Sequence, residues 1–434
     1  MRTFASETNK NSTIMKTKAF FPVMMMMVVL MTACSNEDNA PEAVQRAMMQ
    51  RERVAQGKTV LVYMAGRNSL SKDIDFVEMD LDEMKEGSKR LSDTDNLIVF
   101  VRRYHDAEQP WLARIKNGEV TDSVSLADMG IAGSDGQNRA SDPAVMESVM
   151  RYAYSHYPAM GDGYGLVLWG HGSGWLIEKD VREACSRGYG VDYGGYVGSQ
   201  DGRWINIPSL ASVLANMPHL KFILCDCCNM MCLENLYELR NVTDYIIGSP
   251  AEIPDEGAPY DQIVPNLFAD GAFYTGIIDK YYASAKGYLP LTAVQTSEME
   301  NLAQATRQAL QTVRENVEGY PDMTGLIHYQ YTGKNVSFKP EHCMFYDAGD
   351  FFLKHAPQET YQQWKQALDK AIVAHRTATI WRTEKIWLYA YSDFTVTDEK
   401  MHGVSMFVEQ NPAKGYYAQY NEDVKKMAWW NVIN

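Results

Sequence analysis

The chain has 434 residues, 46% hydrophobic and 22% charged, an ordinary globular composition with ample length for a large buried core. Its formal net charge of −14 excludes the counterion-release binding that basic proteins use on phosphate backbones, so no nucleic-acid partner is expected. Length alone permits two or three domains, or one long α/β fold.

At the amino terminus, Lys16 and Lys18 precede an apolar run over residues 19–31, interrupted by Pro22. The run is too short to span a bilayer as a helix and has the length of a signal-peptide core. It ends in Leu30-Met31-Thr32-Ala33-Cys34, which resembles a bacterial lipobox with Met31 where leucine is usual. Residues 1–33 are therefore expected to be a signal peptide starting at Met15, because the polar stretch 1–14 fits no signal n-region. Cys34 would be lipidated and would tie an exported protein to the outer membrane or cell surface; a plain secretory signal is the alternative. The acidic stretch 35–39 favours surface display, and residues 34–57 read as a tether.

Residues 59–65, with an unbroken apolar run from Val60 to Ala65, are predicted as a buried strand. The polar turn Gly66-Arg67-Asn68-Ser69 leads to a helix carrying Phe76, Met79, Leu81 and Met84. Residues 97–101 make a second strand. Asn117-Gly118, between two β-prone runs, predicts a hairpin. Ser141 is placed to cap a helix with Pro143 near its start, ending about Tyr157. Residues 166–169 and 221–226 are the third and fourth buried strands. A helix follows over 233–240, then strands at 245–248 and 291–295, and a helix to about Val317 opened by a Ser297/Glu300 capping box. Beyond Tyr320 a helix is predicted over 360–375 and strands at 386–391 and 404–408. This alternation predicts an α/β fold with a mostly parallel central sheet covered on both faces.

Two strands end abruptly in reactive residues. The run 166–169 ends at Gly170-His171-Gly172, and the run 222–225 ends at Asp226-Cys227-Cys228. If these strands are parallel neighbours, both side chains emerge at the carboxyl edge, where open α/β sheets bind ligands. A thiol and an imidazole meeting there make a nucleophile and its proton-transfer partner. Gly170 and Gly172 free the backbone around His171 in a way that core histidines do not need.

Seven cysteines are present. Cys225, Cys227, Cys228 and Cys232 crowd together while Cys185 and Cys343 stand apart, which is no disulfide framework. Free thiols are expected, with Cys225 read as core packing. Cys225 and Cys228 form C-x-x-C, but a zinc site would need a second ligand pair, and none is evident. Side chains alternate along a strand, so Cys227 and Cys228 cannot both face one site, whereas Asp226 and Cys228 share a face.

Asp226-x-Cys228-x-Met230 with Glu234, and Leu168-Trp169-x-His171-Gly172-x-Gly174-Trp175, resemble the two catalytic blocks of the clostripain family of cysteine peptidases, kin of caspases, legumains and gingipains. Residues 60–65 with Asn68, the pair Glu83-Met84, Ser249-Pro250, Gly257, Pro259-Tyr260 and residues 405–407 resemble further parts of that family. The similarity runs from about Lys58 to the carboxyl terminus. Gly170, Ser173, Cys227 and Asn229 stand where the family more often has Asn, Gly, Ala and Leu.

The resemblance implies a three-layer α/β/α caspase-like sandwich with a peptidase core over 58–320 and a carboxyl-terminal subdomain of the same unit over 321–434. It selects Cys228 as nucleophile and His171 as its acid–base partner, working as a dyad, with the N–H groups of Gly172 and Cys228 as the oxyanion hole. It implies that Asp226 holds a basic P1 side chain, so that cleavage follows Arg or Lys; a carboxylate there would otherwise only raise the thiol pKa. Glu252, Asp255 and Glu256 are candidates for a second acid in that pocket. The basic, glycine-rich segment 177–203 is implied as an activation loop, with self-cleavage after Lys179, Arg182 or Arg187, although any solvated insertion can look similar. The expected partners are protein or peptide substrates, the expected state a monomer that becomes two chains on processing. The chemistry calls for no cofactor, and no EF-hand loop supports calcium. The rival readings are a catalytically silent binding lipoprotein of the same fold, and a serine hydrolase, which would need a Gly-x-Ser-x-Gly elbow that this chain lacks.

Overall fold

The computed structural model describes residues 57–104, 109–177, 188–194, 196–197, 201–329, 343–384, 387–389, 396–414 and 417–434. In chain order the strands are β1 (Thr59–Gly66), β2 (Asn96–Arg103), β3 (Trp111–Lys116), β4 (Glu119–Ser125), β5 (Tyr164–Gly170), β6 (Tyr189–Tyr193), β7 (Gly202–Ile205), β8 (Leu220–Asp226), β9 (Thr243–Gly248), β10 (Leu291–Gln295), β11 (Tyr346–Asp347), β12 (Ile372–Arg376), β13 (Trp381–Glu384), β14 (Trp387–Tyr389) and β15 (Ser405–Met406). The α-helices are α1 (Phe76–Ser88), α2 (Pro143–His156), α3 (Ile207–Leu214), α4 (Leu233–Glu238), α5 (Tyr260–Leu267), α6 (Phe273–Ser284), α7 (Met299–Asn316), α8 (Ala348–His355), α9 (Gln358–Ala371), α10 (Tyr417–Asp423) and α11 (Ala428–Ile433).

Nine strands form one sheet in the order β12-β10-β9-β8-β5-β1-β2-β3-β4. The central five run parallel, as expected for apolar runs without polar alternation. The sheet as a whole is mixed, which corrects the mostly parallel expectation: four pairings are parallel and four antiparallel. On one side, the short connections after β2 and β3 return the chain as a meander, with Asn117 and Gly118 at φ 52° and 87° in the tight turn. On the other side, two consecutive helices, α5 and α6, separate β9 from β10, and the chain re-enters the sheet running the opposite way.

Strand alternation divides the core into two layers. Leu61, Tyr63, Leu166, Leu168, Ile223 and Cys225 pack on one side with helices such as α2, α3 and α7. Val60, Val62, Val167, Trp169, Phe222 and Leu224 pack on the other with α1, α5 and α6. The carboxyl-terminal region shares the first layer, where Phe351, Trp364 and Trp429 join the same apolar cluster as the sheet. Ser405 in β15 bridges to Cys232 beside the start of α4.

Several local expectations are displaced. Asp142, not Ser141, caps α2 by accepting from the Ala144 N–H. Ser297 lies inside a 3₁₀ turn before α7, and Glu300 binds Arg240 and Tyr237, so no capping box forms. The helix predicted over 360–375 is α9, which ends at Ala371; His375 belongs to the edge strand β12. Met79 of α1 is 45% exposed, on the outer face of that helix.

Candidate active site

Strands β5 and β8 are parallel neighbours, with Trp169 opposite Asp226 on their last shared rung. His171 and Cys228 therefore leave the sheet at one edge. Gly170 makes the exit turn at φ 142°, with Ala65 O only 2.9 Å from where a Cβ would stand. On the far side of β5 lies β1, paired in register to Ala65 and Gly170. The turn after β1 brings Ser69 to His171, with Oγ and Nε2 2.8 Å apart. The His171 carbonyl accepts from Gly190 N of β6 at 2.8 Å, and the Trp204 ring of β7 lies 6.5 Å from the imidazole, centroid to centroid. Burial lowers the His171 pKa to about 4, which keeps the resting ring neutral.

Cys228 is partly exposed, whereas Cys225 and Cys227 are buried in the opposite layer. The sulfur accepts from Ile253 N at 3.4 Å. Burial, then the negative charge of Glu252, pushes its pKa up to about 12, against smaller opposing effects of the Ile253 and Gly172 amides. The Cys228 N–H makes no hydrogen bond among the described residues. Gly172 packs so closely that an added Cβ would fall 2.6 Å from Cys228 O and 3.0 Å from Cys227 Cβ. The imidazole and the thiol share no hydrogen bond with each other in this state.

Asp226 is 2% exposed and lies on the Cys228 face of β8. Its Oδ2 accepts from Tyr260 Oη at 2.8 Å and Ala258 N at 3.2 Å, and its Oδ1 accepts from Tyr281 Oη at 2.7 Å. Asp80 of α1, equally buried, accepts from Trp169 Nε1 at 2.5 Å. The two carboxylates converge on Gly257, where one added methyl would stand 3.0 Å from Asp226 Oδ2 and 3.4 Å from Asp80 Oδ2. Burial raises both pKa values, and the Asp226 charge raises that of Asp80 further. Neither carboxylate has an ion-pair partner among the described residues.

A family model described as the clostripain family matches residues 62–434. The chain belongs to the clostripain family. It is a cysteine endopeptidase. A secreted C11 cysteine protease from Bacteroides thetaiotaomicron, solved with an irreversible peptide inhibitor, is 27% identical with a TM-score of 0.67, the match covering 87% of this chain and 99% of that one. An inactive zymogen C11 protease from Parabacteroides distasonis is 26% identical with a TM-score of 0.69, covering 88% and 99%. A further secreted C11 cysteine protease from Bacteroides thetaiotaomicron, 23% identical with a TM-score of 0.62 over 88% and 100%, shares the fold. No curated protein matches.

In this clostripain-family chain, His171, Gly172, Asp226 and Cys228 come together at one sheet edge. Of the proposed second acids, Glu252 is near enough to raise the Cys228 pKa, while Asp255 and Glu256 are half-buried in the same loop. The signal segment, Cys34, Cys185 and the cleavage candidates Lys179, Arg182 and Arg187 lie outside the described residues. Among those described, no three His, Cys, Asp or Glu side chains assemble as a metal-holding group. Sequence reasoning missed Ser69, Asp80 and Tyr281. Ser69 stands in the turn after a predicted strand, but the sequence did not show that this strand neighbours the one that carries His171.

Proposed function

We propose that this clostripain-family peptidase cleaves after arginine or lysine through a Cys228–His171 dyad, on an exported protein anchored by lipidated Cys34. The observation that carries the reading is the end of β8: a partly open thiol stands two residues past Asp226, and Asp226 and Asp80 are buried together with no counter-ion among the described residues. Two uncompensated carboxylates beside a nucleophile suit a cationic side chain, whose charge would offset their burial cost.

Substrate binding seats the scissile carbonyl on Cys228. The thiol proton passes to His171 as sulfur bonds to the carbonyl carbon. The oxygen takes the negative charge within reach of the Gly172 and Cys228 N–H groups. The imidazolium then gives its proton to the amine as the C–N bond breaks, and water hydrolyses the thioester with His171 as base.

Activation by cleavage after Lys179, Arg182 or Arg187 fits the anchoring of the next strand in the chain. Strand β6 is tied by Arg139 Nη1 to Asp192 O at 3.0 Å and by Arg67 Nε to Tyr193 O at 2.6 Å. It also bonds the His171 carbonyl. A cut upstream would leave β6 in place beside the histidine, and the product would be one unit of two chains.

The test is hydrolysis of Arg- and Lys-ending reporter peptides by the wild type, Cys228→Ala and Cys227→Ala. The reading expects loss in Cys228→Ala alone. Equal activity on reporters with acidic or apolar P1 would overturn the specificity, and full activity in Cys228→Ala would overturn the nucleophile. No turnover by wild type before or after limited proteolysis would favour a binding protein.

A further inference from the structure

Among the described residues, the His171 ring has one hydrogen-bond partner, the Ser69 hydroxyl. No carboxylate among the described residues bonds the ring, and burial lowers its pKa. We propose that Ser69 is the positioning residue of this peptidase: its Oγ accepts a hydrogen bond from His171 Nε2–H, and this leaves the Nδ1 lone pair to receive the Cys228 proton. The inference rests on the dyad reading and supplies the tautomer that the dyad requires.

A neutral imidazole has one donor nitrogen and one acceptor nitrogen; a serine hydroxyl can accept from Nε2–H or donate to Nε2, and only the first arrangement leaves Nδ1 free to take the thiol proton. Here Nε2 is engaged and Nδ1 makes no hydrogen bond among the described residues. Ser69 itself is exposed, yet the backbone that carries it is held on both sides. Asn68, fully buried, donates from Nδ2 to Ala65 O and Val191 O, both at 2.8 Å, and accepts from Leu70 N at 3.0 Å. Ser71 Oγ donates to Gly66 O and accepts from Tyr104 N at 2.8 Å. The register of β1 with β5 sets this turn beside the His171 exit.

A hydroxyl suits the place better than a carboxylate would. It satisfies Nε2–H without adding a charge, so the resting ring stays neutral and able to act as a base. When the Cys228 proton reaches Nδ1, both ring nitrogens become donors, and Ser69 keeps accepting from Nε2. The proton then leaves from Nδ1 to the departing amine, and the original tautomer returns. Asn68 also grips Val191 of β6, so the same turn connects the histidine to the strand beyond the proposed cleavage segment.

The experiment compares full-length wild type, Ser69→Ala and Ser69→Thr, labelled with 15N-histidine and with the His171 signal assigned by His171→Gln. Two-bond 1H–15N correlations read the tautomer, and an Arg-ending reporter reads kcat and KM. The wild type and Ser69→Thr should show the Nε2–H tautomer, and Ser69→Ala a mixture. Ser69→Ala should lose about tenfold in kcat with KM within about twofold, and Ser69→Thr should recover it. Unchanged tautomer and kcat in Ser69→Ala would overturn the proposal, as would equal losses in Ala and Thr accompanied by a lowered Tm. A wild type without turnover would sink the dyad reading instead, while the tautomer comparison still decides the role of Ser69.

Discussion

Trp169 and Asp226 face each other on the last rung of the β5–β8 ladder. Two residues beyond each come His171 and Cys228, so equal spacing past a shared rung carries imidazole and thiol out together. The parallel pairing is essential, because antiparallel neighbours would send the two residues to opposite edges. The same rung organises the buried acid pair proposed to hold the P1 side chain, since the Trp169 indole bonds Asp80 and Asp226 is the last residue of β8.

The resting thiol should be protonated at neutral pH. Its pKa stands at about 12 and that of His171 at about 4, so neither partner supports a thiolate–imidazolium pair before substrate arrives. Alkylation of Cys228 by iodoacetamide should therefore climb about tenfold per pH unit from pH 6 to 9, as thiolate is the reactive form. Mass spectrometry of the modified peptide checks this, and a rate already at plateau by pH 6 would contradict it.

Asp80→Asn should separate stability from specificity. A carboxyl whose folded pKa is raised contributes stability below its unfolded value near 4 and loses it as pH climbs through the folded value. Asparagine keeps an acceptor for the Trp169 N–H and removes the charge beside Asp226. Its Tm should exceed that of wild type at pH 8 and approach it at pH 4. On the proposed specificity, KM for an Arg-ending reporter should rise at least about tenfold. Thermal unfolding at both pH values and steady-state kinetics test the two halves separately, and a lowered Tm at pH 8 counts against the first.

The parts of this site legible in the sequence are those carried by a single run. Residues 60–65, 166–169 and 222–225 are apolar on both faces, which marks central strands, and the reactive residues stand beyond the ends of the last two. Ser69 meeting His171 needs the order β8-β5-β1, which crossovers create and no local pattern reveals. Asp80 stands on an amphipathic helix among four other acidic residues, where an aspartate reads as solvated. The sheet direction failed for a related reason. Pro265 inside α5 and the aromatic-rich α6 blur helical periodicity, so the two-helix connection that turns β10 round went unread. Asp142 prevailed over Ser141 because it directly precedes Pro143, the first residue of α2.

Glu234 should make stability fall with pH through neutrality. It is fully buried on α4, and its Oε1 accepts from Phe407 N at 2.7 Å, which ties the late β15 region to the helix after Cys228. Burial raises its pKa from 4.5 to about 7. The stability of the protonated form is complete below about pH 4.5 and is lost as pH rises through 7, roughly 3 kcal/mol in all. Glu234→Gln retains the acceptor and abolishes the titration. Denaturant unfolding at pH 5 and pH 8 should show wild type losing stability relative to the variant across that interval, and parallel curves would refute the assignment.

Gly172→Ala should fold and yet fail as an enzyme. Gly172 is not at a positive φ, so alanine brings no backbone strain there. The added methyl would instead stand 2.6 Å from Cys228 O and 3.0 Å from Cys228 N and Cys227 Cβ. Two of these are main-chain atoms of the loop that presents the thiol, and no rotamer change can move them aside. The loop must retreat by several tenths of an ångström, which also shifts the Cys228 N–H from the place proposed for the oxyanion. Misplacement on the ångström scale costs about a hundredfold in rate, so kcat should drop by that order. The residues on either side of Gly172 stay anchored through Gly190 N to His171 O and Ser173 N to Gly188 O, so the Tm should change by only a few degrees. Kinetics with far-UV circular dichroism at several temperatures checks the pair of outcomes, and retained kcat with an unchanged Tm would show that the loop has room the geometry denies.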